Sequence, residues 1–261
     1  MIKIGFLGCG NMGGSIANAI NNDYEVYVFD KDQAKAKAIS NVTVFSSESE
    51  LLEKSDIIIL AVKPQILPSL YPLLSEFSTK KYISIAAGVP LEVLERKINC
   101  KNIVRFMPNI AAKSKAAVTA IAATENADKE FIQTAFDIAT HFGSAFMLDE
   151  NLFPAFIGIS GSAIAYVFEF IHALAMGGTD QGISYNESVK IATDTLQSAV
   201  ALLKDSKENP VELMSKVCSA KGTTIKGMNE LYSNGFDNAV IKAVISASEK
   251  SQELEKLAKE M

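Results

Sequence analysis

A glycine-rich segment near the start of the chain has the residue types and the spacing that bind a dinucleotide. Gly8, Gly10 and Gly13 match the pattern G-x-G-x-x-G, directly after a short apolar stretch and at the start of a helical pattern. The first glycine permits a tight turn, the second lets the backbone approach a pyrophosphate, and the third permits close packing of helix against strand. Asn11 and Met12 then offer backbone N–H groups to phosphate. The alternative interpretation is a tight turn that only packs.

An acidic residue follows this motif at the distance where dinucleotide-binding proteins contact a ribose. Asp30 lies about 20 residues beyond Gly8, at the end of a strand predicted over Tyr24–Phe29. A carboxylate at this position repels a 2′-phosphate, which favours NADH. Lys31 follows at once and is able to receive that phosphate instead, which favours NADPH. The sequence therefore predicts a nicotinamide cofactor and leaves the choice between NADH and NADPH open.

Three more short segments follow predicted strands, where ligands bind in an open α/β sheet. They contain further candidate cofactor-binding residues, which are Ala61, Val62, Lys63, Pro64, Ala87, Gly88, Met107, Pro108 and Asn109. We interpret the first segment as a wall of the cofactor groove and the last as the lining of the nicotinamide pocket. Lys63 has a second interpretation, as a solvated lysine of an exposed loop.

Strands and helices must position these residues, and the sequence predicts both. Stretches typical of strands cover residues 2–7, 24–29, 42–45, 56–62, 82–87, 102–106 and 117–122. The unbroken apolar run at 56–62 suits a strand that is buried on both faces of a parallel sheet. Because helical patterns alternate with the strands, we predict an α/β fold, a Rossmann-type doubly wound sheet, over residues 1–150.

The pattern changes near Phe153, beyond which the sequence predicts helices only. Helical spacing covers residues 156–176, 185–204, 210–217, 223–234 and 236–261. We therefore predict an all-helical C-terminal domain over residues 151–261. Its apolar helices exceed what a bundle of this size buries alone, so we expect a second copy of the chain to cover them.

Composition narrows the class of partner and the compartment. The 261 residues carry a formal net charge of −5 and no basic stripe, so we expect no nucleic-acid partner. The chain has two histidines and no compact ligand motif, so we expect no metal site. Its three cysteines are far apart, which favours a reducing, cytoplasmic location. We expect no signal peptide, no membrane-spanning stretch and hence no membrane partner.

Two segments in the second half complete a resemblance to a known family. Residues 159–166 read I-S-G-S-A-I-A-Y, and residues 219–225 read S-A-K-G-T-T-I. With A-V-K-P-Q at 61–65, A-A-G-V at 86–89 and R-F-M-P-N at 105–109, the chain resembles pyrroline-5-carboxylate reductases nearly end to end. The resemblance implies reduction of the cyclic imine 1-pyrroline-5-carboxylate to L-proline, the last step of proline synthesis, with hydride from NADPH or NADH. It also implies a homodimer with interlocked helical domains and a site near the subunit interface, and it allows a higher oligomer of such dimers.

The resemblance also indicates how the chain would hold its substrate. A protonated cyclic imine is already electrophilic, so positioning should dominate catalysis. Gly222 and Thr223 begin a helix whose free N–H groups suit a carboxylate, and we assign them, with Ser219, to substrate binding. We assign the Thr224 hydroxyl to the imine nitrogen, as the catalytic group. The alternative interpretation is an ordinary Ser/Thr cap at a helix start.

Departures from the family pattern keep other functions open. They lie at Ile110, Ala111, Ala163, Ile164, Ala220 and Lys221. One alternative is a related imine or β-hydroxyacid oxidoreductase; the latter needs a base, typically lysine, and the helix predicted over 156–176 has no lysine. Another is a non-catalytic nicotinamide-binding regulator.

We interpret His172, where a glutamate is common in the family, as a core or interface residue. Residues 160–162 are interpreted as a close helix contact rather than a nucleophile.

Overall fold

Eight strands form one sheet in the computed structural model, which describes residues 1–260. The strands are β1 (Lys3–Leu7), β2 (Glu25–Phe29), β3 (Thr43–Val44), β4 (Ile57–Leu60), β5 (Lys81–Ser84), β6 (Ile103–Pro108), β7 (Ala117–Ala123) and β8 (Gly143–Met147). Their order across the sheet is β3-β2-β1-β4-β5-β6-β7-β8. The first six strands run parallel, β7 runs antiparallel to β6, and β8 runs parallel to β7. This mainly parallel sheet confirms the predicted fold class.

Strand β4 lies inside the sheet because its residues are all apolar and all buried. Ile59 pairs in register with Phe6 of β1 on one side and with Ile83 of β5 on the other. Successive side chains of a strand point to opposite faces, so an unbroken apolar run requires cover on both. Phe6 accordingly belongs to one apolar core and its neighbour Leu7 to a second core.

Helices connect the parallel strands and complete these two cores. They are α1 (Asn11–Ile20), α2 (Gln33–Lys37), α3 (Glu48–Lys54), α4 (Leu67–Glu76), α5 (Leu91–Ile98) and α6 (Lys129–Thr140). Local chemistry sets several of their starts. Ser47 caps α3, since its hydroxyl accepts a hydrogen bond from the Glu50 N–H at 3.3 Å, and Asp32 caps α2 in the same way. Short 3-10 turns cover 64–66, 110–114 and 150–152.

The rest of the described chain is helical, as predicted. Its elements are α7 (Phe153–Phe156), a π-helical turn (Ile157–Gly161), α8 (Ala163–Asp180), α9 (Tyr185–Asp205), α10 (Pro210–Val217), α11 (Thr223–Ser233) and α12 (Phe236–Glu260). The chain divides into two compact units. One contains Met1–Gly161 and the chain from Ala247 onward, and the other contains Ser162–Ser246. These limits differ from the domains 1–150 and 151–261 expected from the sequence, which stay a prediction.

Within the second unit, aromatic and polar contacts tie the helices together. The Tyr166 hydroxyl donates a hydrogen bond to the Ala243 carbonyl at 3.2 Å, and the rings of Phe170 and Phe236 lie 5.8 Å apart. His172 is exposed in the single chain, and its Nδ1 lies 2.9 Å from the Tyr185 hydroxyl. His172 is therefore not part of the core of this unit, and its place in an interface stays a prediction.

The structure differs from the predicted elements at two places. Strand β8 was not predicted, because G-S-A-F-M has little of the β-branched or alternating character that marks a strand, and it pairs only along β7. The single helix predicted from Phe156 is instead divided by the π-helical turn. That turn contains Gly158 and Gly161, which weaken regular α-helix.

One helical stretch passes the test of length and composition for a membrane span, which we did not expect from the sequence. It covers Glu150–Asp180, and 22% of its most apolar window is buried. The expectation that no stretch is long and apolar enough is therefore wrong on these two criteria. Exposed apolar side chains on it include Phe168 and Met176. Such a surface also suits a helix that packs against another protein molecule.

Candidate active site

A cleft opens at the carboxyl ends of β1, β2 and β4, where the strand order reverses direction. Its volume is about 280 Å³. Ligands of open α/β sheets bind at such a reversal, because the connections leave the neighbouring strands toward opposite faces. The cleft is lined by Leu7, Gly8, Gly10, Phe29, Asp30, Lys31, Lys35, Glu48, Ala61, Val62, Lys63, Ile66 and Leu70. It thus brings together predicted cofactor-binding residues from three separate segments of the chain.

The glycines of the motif have three different environments. Gly8 has a φ of +104°, and a Cβ there would lie 2.6 Å from the Ala61 carbonyl oxygen. A Cβ on Gly13 would lie 2.5 Å from the Gly8 carbonyl oxygen. A Cβ on Gly10 would meet no atom within 4 Å. Gly8 and Gly13 therefore permit the fold itself, whereas the open space beside Gly10 suits the close approach of a phosphate.

Helix α1 begins directly at this open space. Gly10 is its N-cap, and no side chain of the described residues caps it. The first N–H groups of a helix lack intrahelical partners and carry the positive end of the helix dipole. Asn11 and Met12 present these groups next to Gly10, so the helix start fits a pyrophosphate.

The Asp30 carboxylate holds the glycine-rich turn in place. Its Oδ2 accepts a hydrogen bond from the Cys9 N–H at 2.7 Å, and its Oδ1 accepts one from the Asp32 N–H at 2.8 Å. Charge-assisted bonds of this kind are among the stronger ones in proteins. Sequence reasoning predicted a ribose contact and missed this tie. No sequence signal separates the two roles, because both require a carboxylate at the same position.

Burial, and then the charge of Asp30, raise the pKa of the Cys9 thiol from 9.0 to about 12. The thiol therefore stays protonated at neutral pH and is not a nucleophile. Cys9 contributes its backbone N–H and its packing to the turn, even though it lies within the motif. Among residues 1–260, no group of His, Cys, Asp and Glu side chains is arranged to hold a metal ion.

Three lysines line the cleft and give it a basic character. Lys31 and Lys63 were predicted, and Lys35 was not. Lys35 lies four residues after Lys31, on α2, and its ammonium is 3.5 Å from the Asp32 carboxylate. Lys31 precedes the N-cap Asp32 and lies outside the helix, so no helical spacing links the two lysines and no sequence signal marks Lys35. The other lining residues that sequence reasoning missed carry no motif and are Leu7, Phe29, Glu48, Ile66 and Leu70.

The loop after β5 and the end of β6 hold further predicted cofactor residues that do not line this cleft, and Pro64, in the 3-10 turn after β4, does not line it either. Ala87 is exposed, and Gly88 is half-buried with a φ of +75°. At the end of β6, Met107 is buried and Pro108 is half-buried. Strands β5 and β6 are parallel neighbours, so the two loops leave the same edge of the sheet. Contacts of Ala87 and Gly88 with the cofactor, and of Met107 and Pro108 with its nicotinamide, stay a prediction.

Asn109 is buried, and its side chain forms hydrogen bonds with backbone N–H groups of the protein. Its Oδ1 accepts hydrogen bonds from the N–H groups of Ala111 and Val118, at 3.2 and 3.3 Å. Its Nδ2 donates to the Ser160 hydroxyl at 3.3 Å. Asn109 therefore fixes the turn after β6 and contacts Ser160, and the helix contact predicted for residues 160–162 stays a prediction.

The predicted substrate-binding residues lie in the second compact unit, at the start of α11. Gly222 is the N-cap, no described side chain caps the helix, and the Gly222 N–H donates to the Ser219 carbonyl at 3.0 Å. A Cβ on Gly222 would lie 2.4 Å from the Ser219 hydroxyl oxygen. Thr223 is exposed and Thr224 is half-buried. The segment thus forms a tight turn that leads into free helix N–H groups, so the alternative of a Ser/Thr cap does not describe it.

Comparison with known proteins extends over nearly the whole chain. A family model described as pyrroline-5-carboxylate reductase dimerisation matches residues 150–254, and one described as NADP oxidoreductase, coenzyme F420-dependent, matches residues 3–88. The pyrroline-5-carboxylate reductase of Methanosarcina acetivorans is 38% identical, over 97% of this chain and 98% of its own. That of Aquifex aeolicus is 34% identical, over 97% of each chain. The chain belongs to the pyrroline-5-carboxylate reductase family. The family resemblance inferred from the sequence is thereby confirmed.

A solved member of this family has the same fold. The crystal structure of Plasmodium falciparum pyrroline carboxylate reductase with NADP bound matches with a TM-score of 0.88, at 29% identity, over 97% of this chain and 98% of that one. This match and the NADP oxidoreductase model agree with the nicotinamide-dependent oxidoreductase class inferred from the glycine motif.

One departure from the family pattern has a structural consequence. Lys221 has a φ of +62°, in the left-handed region, at a position where the reductase family usually has glycine. A side chain in this conformation is strained by about 1 kcal/mol. The turn before α11 therefore keeps the backbone that glycine would favour, without glycine there.

Proposed function

We propose that the chain catalyses the reduction of 1-pyrroline-5-carboxylate to L-proline with hydride from NADPH or NADH. The observation that carries the proposal is the complete dinucleotide cleft at the reversal of the strand order, in a chain that belongs to this reductase family from end to end. The cleft supports nicotinamide chemistry, and the family supports the substrate.

The first compact unit binds the cofactor. Gly10 leaves the space for the pyrophosphate, and Asn11 and Met12 donate their N–H groups to it. Asp30 faces the adenosine ribose, and Lys31 supplies positive charge on the same side of the cleft. When bound, the cofactor supplies the hydride. The fold's part is to orient the nicotinamide and to keep the turn at Gly8 rigid.

The substrate carboxylate is held by the turn before α11. Thr223, the first residue of α11, donates its backbone N–H to it, Gly222 leaves the helix start uncapped for this approach, and the Ser219 hydroxyl adds a donor at the side of the turn. The Thr224 hydroxyl hydrogen-bonds the ring nitrogen, which gains electron density during reduction. Because the iminium is already electrophilic, this chain needs no strong acid there, and orientation supplies most of the rate.

The protein also forms a homodimer through its helical second half, and such dimers are able to assemble further. The exposed apolar side chains of that half support this proposal. They include Phe168, Met176, Ile191, Val211 and Ile241. A surface of this kind is typical of a protein–protein interface. A second copy, rather than a lipid bilayer, covers the apolar stretch of α8.

We also propose a cytoplasmic location, on the evidence of the cysteines. The cysteines Cys9, Cys100 and Cys218 are all free thiols, and Cys9 and Cys100 are buried. Unpaired, buried thiols suit a reducing compartment, where thiols are kept reduced.

The experiment that tests the reaction follows the absorbance of NADPH and NADH during incubation with 1-pyrroline-5-carboxylate. The wild type is compared with Thr224→Ala and with Thr193→Ala as a matched control. Thr193 is an exposed helical threonine whose hydroxyl bonds only the carbonyl one turn earlier. We expect kcat of Thr224→Ala to fall about 10- to 150-fold, as for loss of one hydrogen bond to a charged group, worth ~1.5–3 kcal/mol, and the control to match the wild type.

Two outcomes of this assay contradict the proposal. If the folded protein binds NADPH but does not oxidise it with this imine or a related imine, the protein is a regulator and not a reductase. A protein that is active on a β-hydroxyacid and inactive on the imine is a dehydrogenase of another substrate class. Equal activity of Thr224→Ala and wild type leaves the reaction in place and removes Thr224 from it.

A further inference from the structure

The last turns of α12 pack within the first compact unit, on the loop that follows β5. The Leu254 Cβ lies 3.6 Å from the position that a Cβ on Gly88 would take. Further along, the Lys259 ammonium lies 2.9 Å from the Glu92 carboxylate on α5. These last turns thus lie against the loop after β5, which holds the predicted cofactor-binding residues Ala87 and Gly88 and leaves the same edge of the sheet as the end of β6.

A buried arginine ties this helix to the sheet. The Arg105 side chain, in the middle of β6, has no solvent-exposed surface. Its Nη2 donates to Glu255 of α12 at 2.8 Å, and its Nη1 donates to Glu150 at 2.7 Å. Its guanidinium carbon lies 5.0 Å from the centre of the Phe153 ring. A cation at this depth requires its partners, since a buried charge left without one is strongly destabilising.

The same cluster holds the far end of the loop after β5. The Glu150 oxygen that accepts from Arg105 also accepts the N–H of Leu91, the first residue of α5, at 2.8 Å. The loop between β5 and α5 is therefore held at Leu91 through Glu150, and Leu254 of α12 lies beside it at Gly88. Met107, predicted to line the nicotinamide pocket, follows Arg105 by two residues on the same strand, so the loop after β5 and the end of β6 both adjoin this one ion cluster.

We propose that Glu255 and Arg105 are positioning residues for hydride transfer, which act by fixing the loop after β5 and the end of β6 without touching the cofactor. This inference rests on the proposed function. Glu255 lies in the last turns of the chain, so the C-terminal helix has a catalytic consequence beyond its contribution to folding.

The pattern of effects follows from where each half of the cofactor is held. The pyrophosphate and the adenosine are bound at Gly10, α1 and Asp30, which the ion cluster does not contact. Loosening the cluster therefore leaves dinucleotide affinity nearly unchanged and disturbs the nicotinamide. Hydride transfer depends steeply on geometry, and a displacement of about 1 Å can cost about 100-fold in rate.

The test compares Glu255→Gln with Glu253→Gln, a control on the same helix whose carboxylate is 58% exposed and paired only with Lys250. Three quantities are measured well below the unfolding temperature. They are kcat with 1-pyrroline-5-carboxylate, the Kd of NADPH, and the fluorescence of the bound nicotinamide. For Glu255→Gln we expect kcat to fall about tenfold, Kd to stay within about twofold, and the fluorescence to change; Glu253→Gln should match the wild type in all three.

Glu255→Asp keeps the negative charge, and this variant decides the test if Glu255→Gln does not fold. Intermediate kcat and fluorescence in Glu255→Asp support the inference, since a general loss of stability would lower the folded fraction and leave kcat per folded site unchanged. Wild-type kcat and fluorescence in either folded variant overturn it, as does a loss of Kd as large as the loss of kcat. If the wild type binds NADPH and has no turnover, the proposed reaction fails, and the fluorescence comparison still decides whether Glu255 positions the nicotinamide.

Discussion

Replacing Gly10 and Gly13 by alanine, one at a time, is expected to separate cofactor binding from folding within a single motif. At Gly10 the backbone φ is −65°, which alanine adopts readily, and the added Cβ meets no protein atom within 4 Å. The free energy of unfolding of Gly10→Ala should therefore stay within about 1 kcal/mol of the wild type. The methyl group instead occupies space that we assign to the phosphate.

The expected loss of binding corresponds to about one charge-assisted hydrogen bond. Such a bond contributes ~1.5–3 kcal/mol, so the Kd of NADPH for Gly10→Ala should rise about 10- to 150-fold. Gly13→Ala has the opposite pattern, because its Cβ would lie 2.5 Å from the Gly8 carbonyl oxygen and 2.7 Å from the Ala61 Cβ. Overpacking of this kind costs ~1–3 kcal/mol. At about 2–4 °C per kcal/mol, the unfolding temperature of Gly13→Ala should fall by several degrees.

Thermal unfolding of the ligand-free variants and fluorescence titration with NADPH measure the two effects separately. The reasoning is refuted if Gly10→Ala binds NADPH within twofold of the wild type, since the open space would then not be the phosphate site. It is also refuted if Gly13→Ala is as stable as the wild type.

Three further substitutions and measurements test other parts of the site. Asp30→Asn removes a charge beside the ribose, so the ratio of kcat/KM for NADPH to that for NADH should rise about fivefold, which corresponds to ~1 kcal/mol; an equal loss for both cofactors would mean that Asp30 acts only on the turn. Lys221→Gly relieves the left-handed backbone and should raise the unfolding temperature by a few degrees, worth about 1 kcal/mol, in a thermal scan, whereas a lower value would contradict the strain. The Cys9 thiol, with a pKa raised to about 12, should resist a thiolate-selective reagent at pH 8 while the half-buried Cys218 is labelled, as peptide mass spectrometry would show; rapid labelling of Cys9 in the native protein would contradict its burial.

Local patterns predicted the parts of this molecule whose causes are local. The turn from Gly8 to Gly13 and the apolar run of β4 depend on neighbouring residues, so the fold class and most of the cleft followed from them. Lys35 was missed because its place in the cleft depends on where α2 lies beside β2. The assignment of Asn109 to the cofactor stays a prediction, and its side chain also accepts a hydrogen bond from Val118 of β7, a partner that the motif does not reveal.

Contacts between residues far apart in the sequence account for most of the features that could not be predicted. The sequence identified Arg105 only as part of a family motif. Its ion pair could not be predicted, because its partner Glu255 is 150 residues away. The return of the chain from Ala247 onward to the first unit has the same origin. A helical pattern predicts α12 and says nothing about which surface its last turns contact.

Because Arg105 and Glu255 are far apart in the sequence, their ion pair forms late in the synthesis of the chain. At ~5–20 residues per second, a ribosome takes roughly 8 to 30 s to add the 150 residues between them. By the end of that interval all eight strands have been synthesised, whereas the Arg105 cation, which is buried in the finished fold, still lacks one of its two carboxylates. The ion pair between Arg105 and Glu255 therefore forms only after the last turns of α12 have been added, so a chain that stops short of Glu255 leaves the Arg105 cation with Glu150 as its one carboxylate partner.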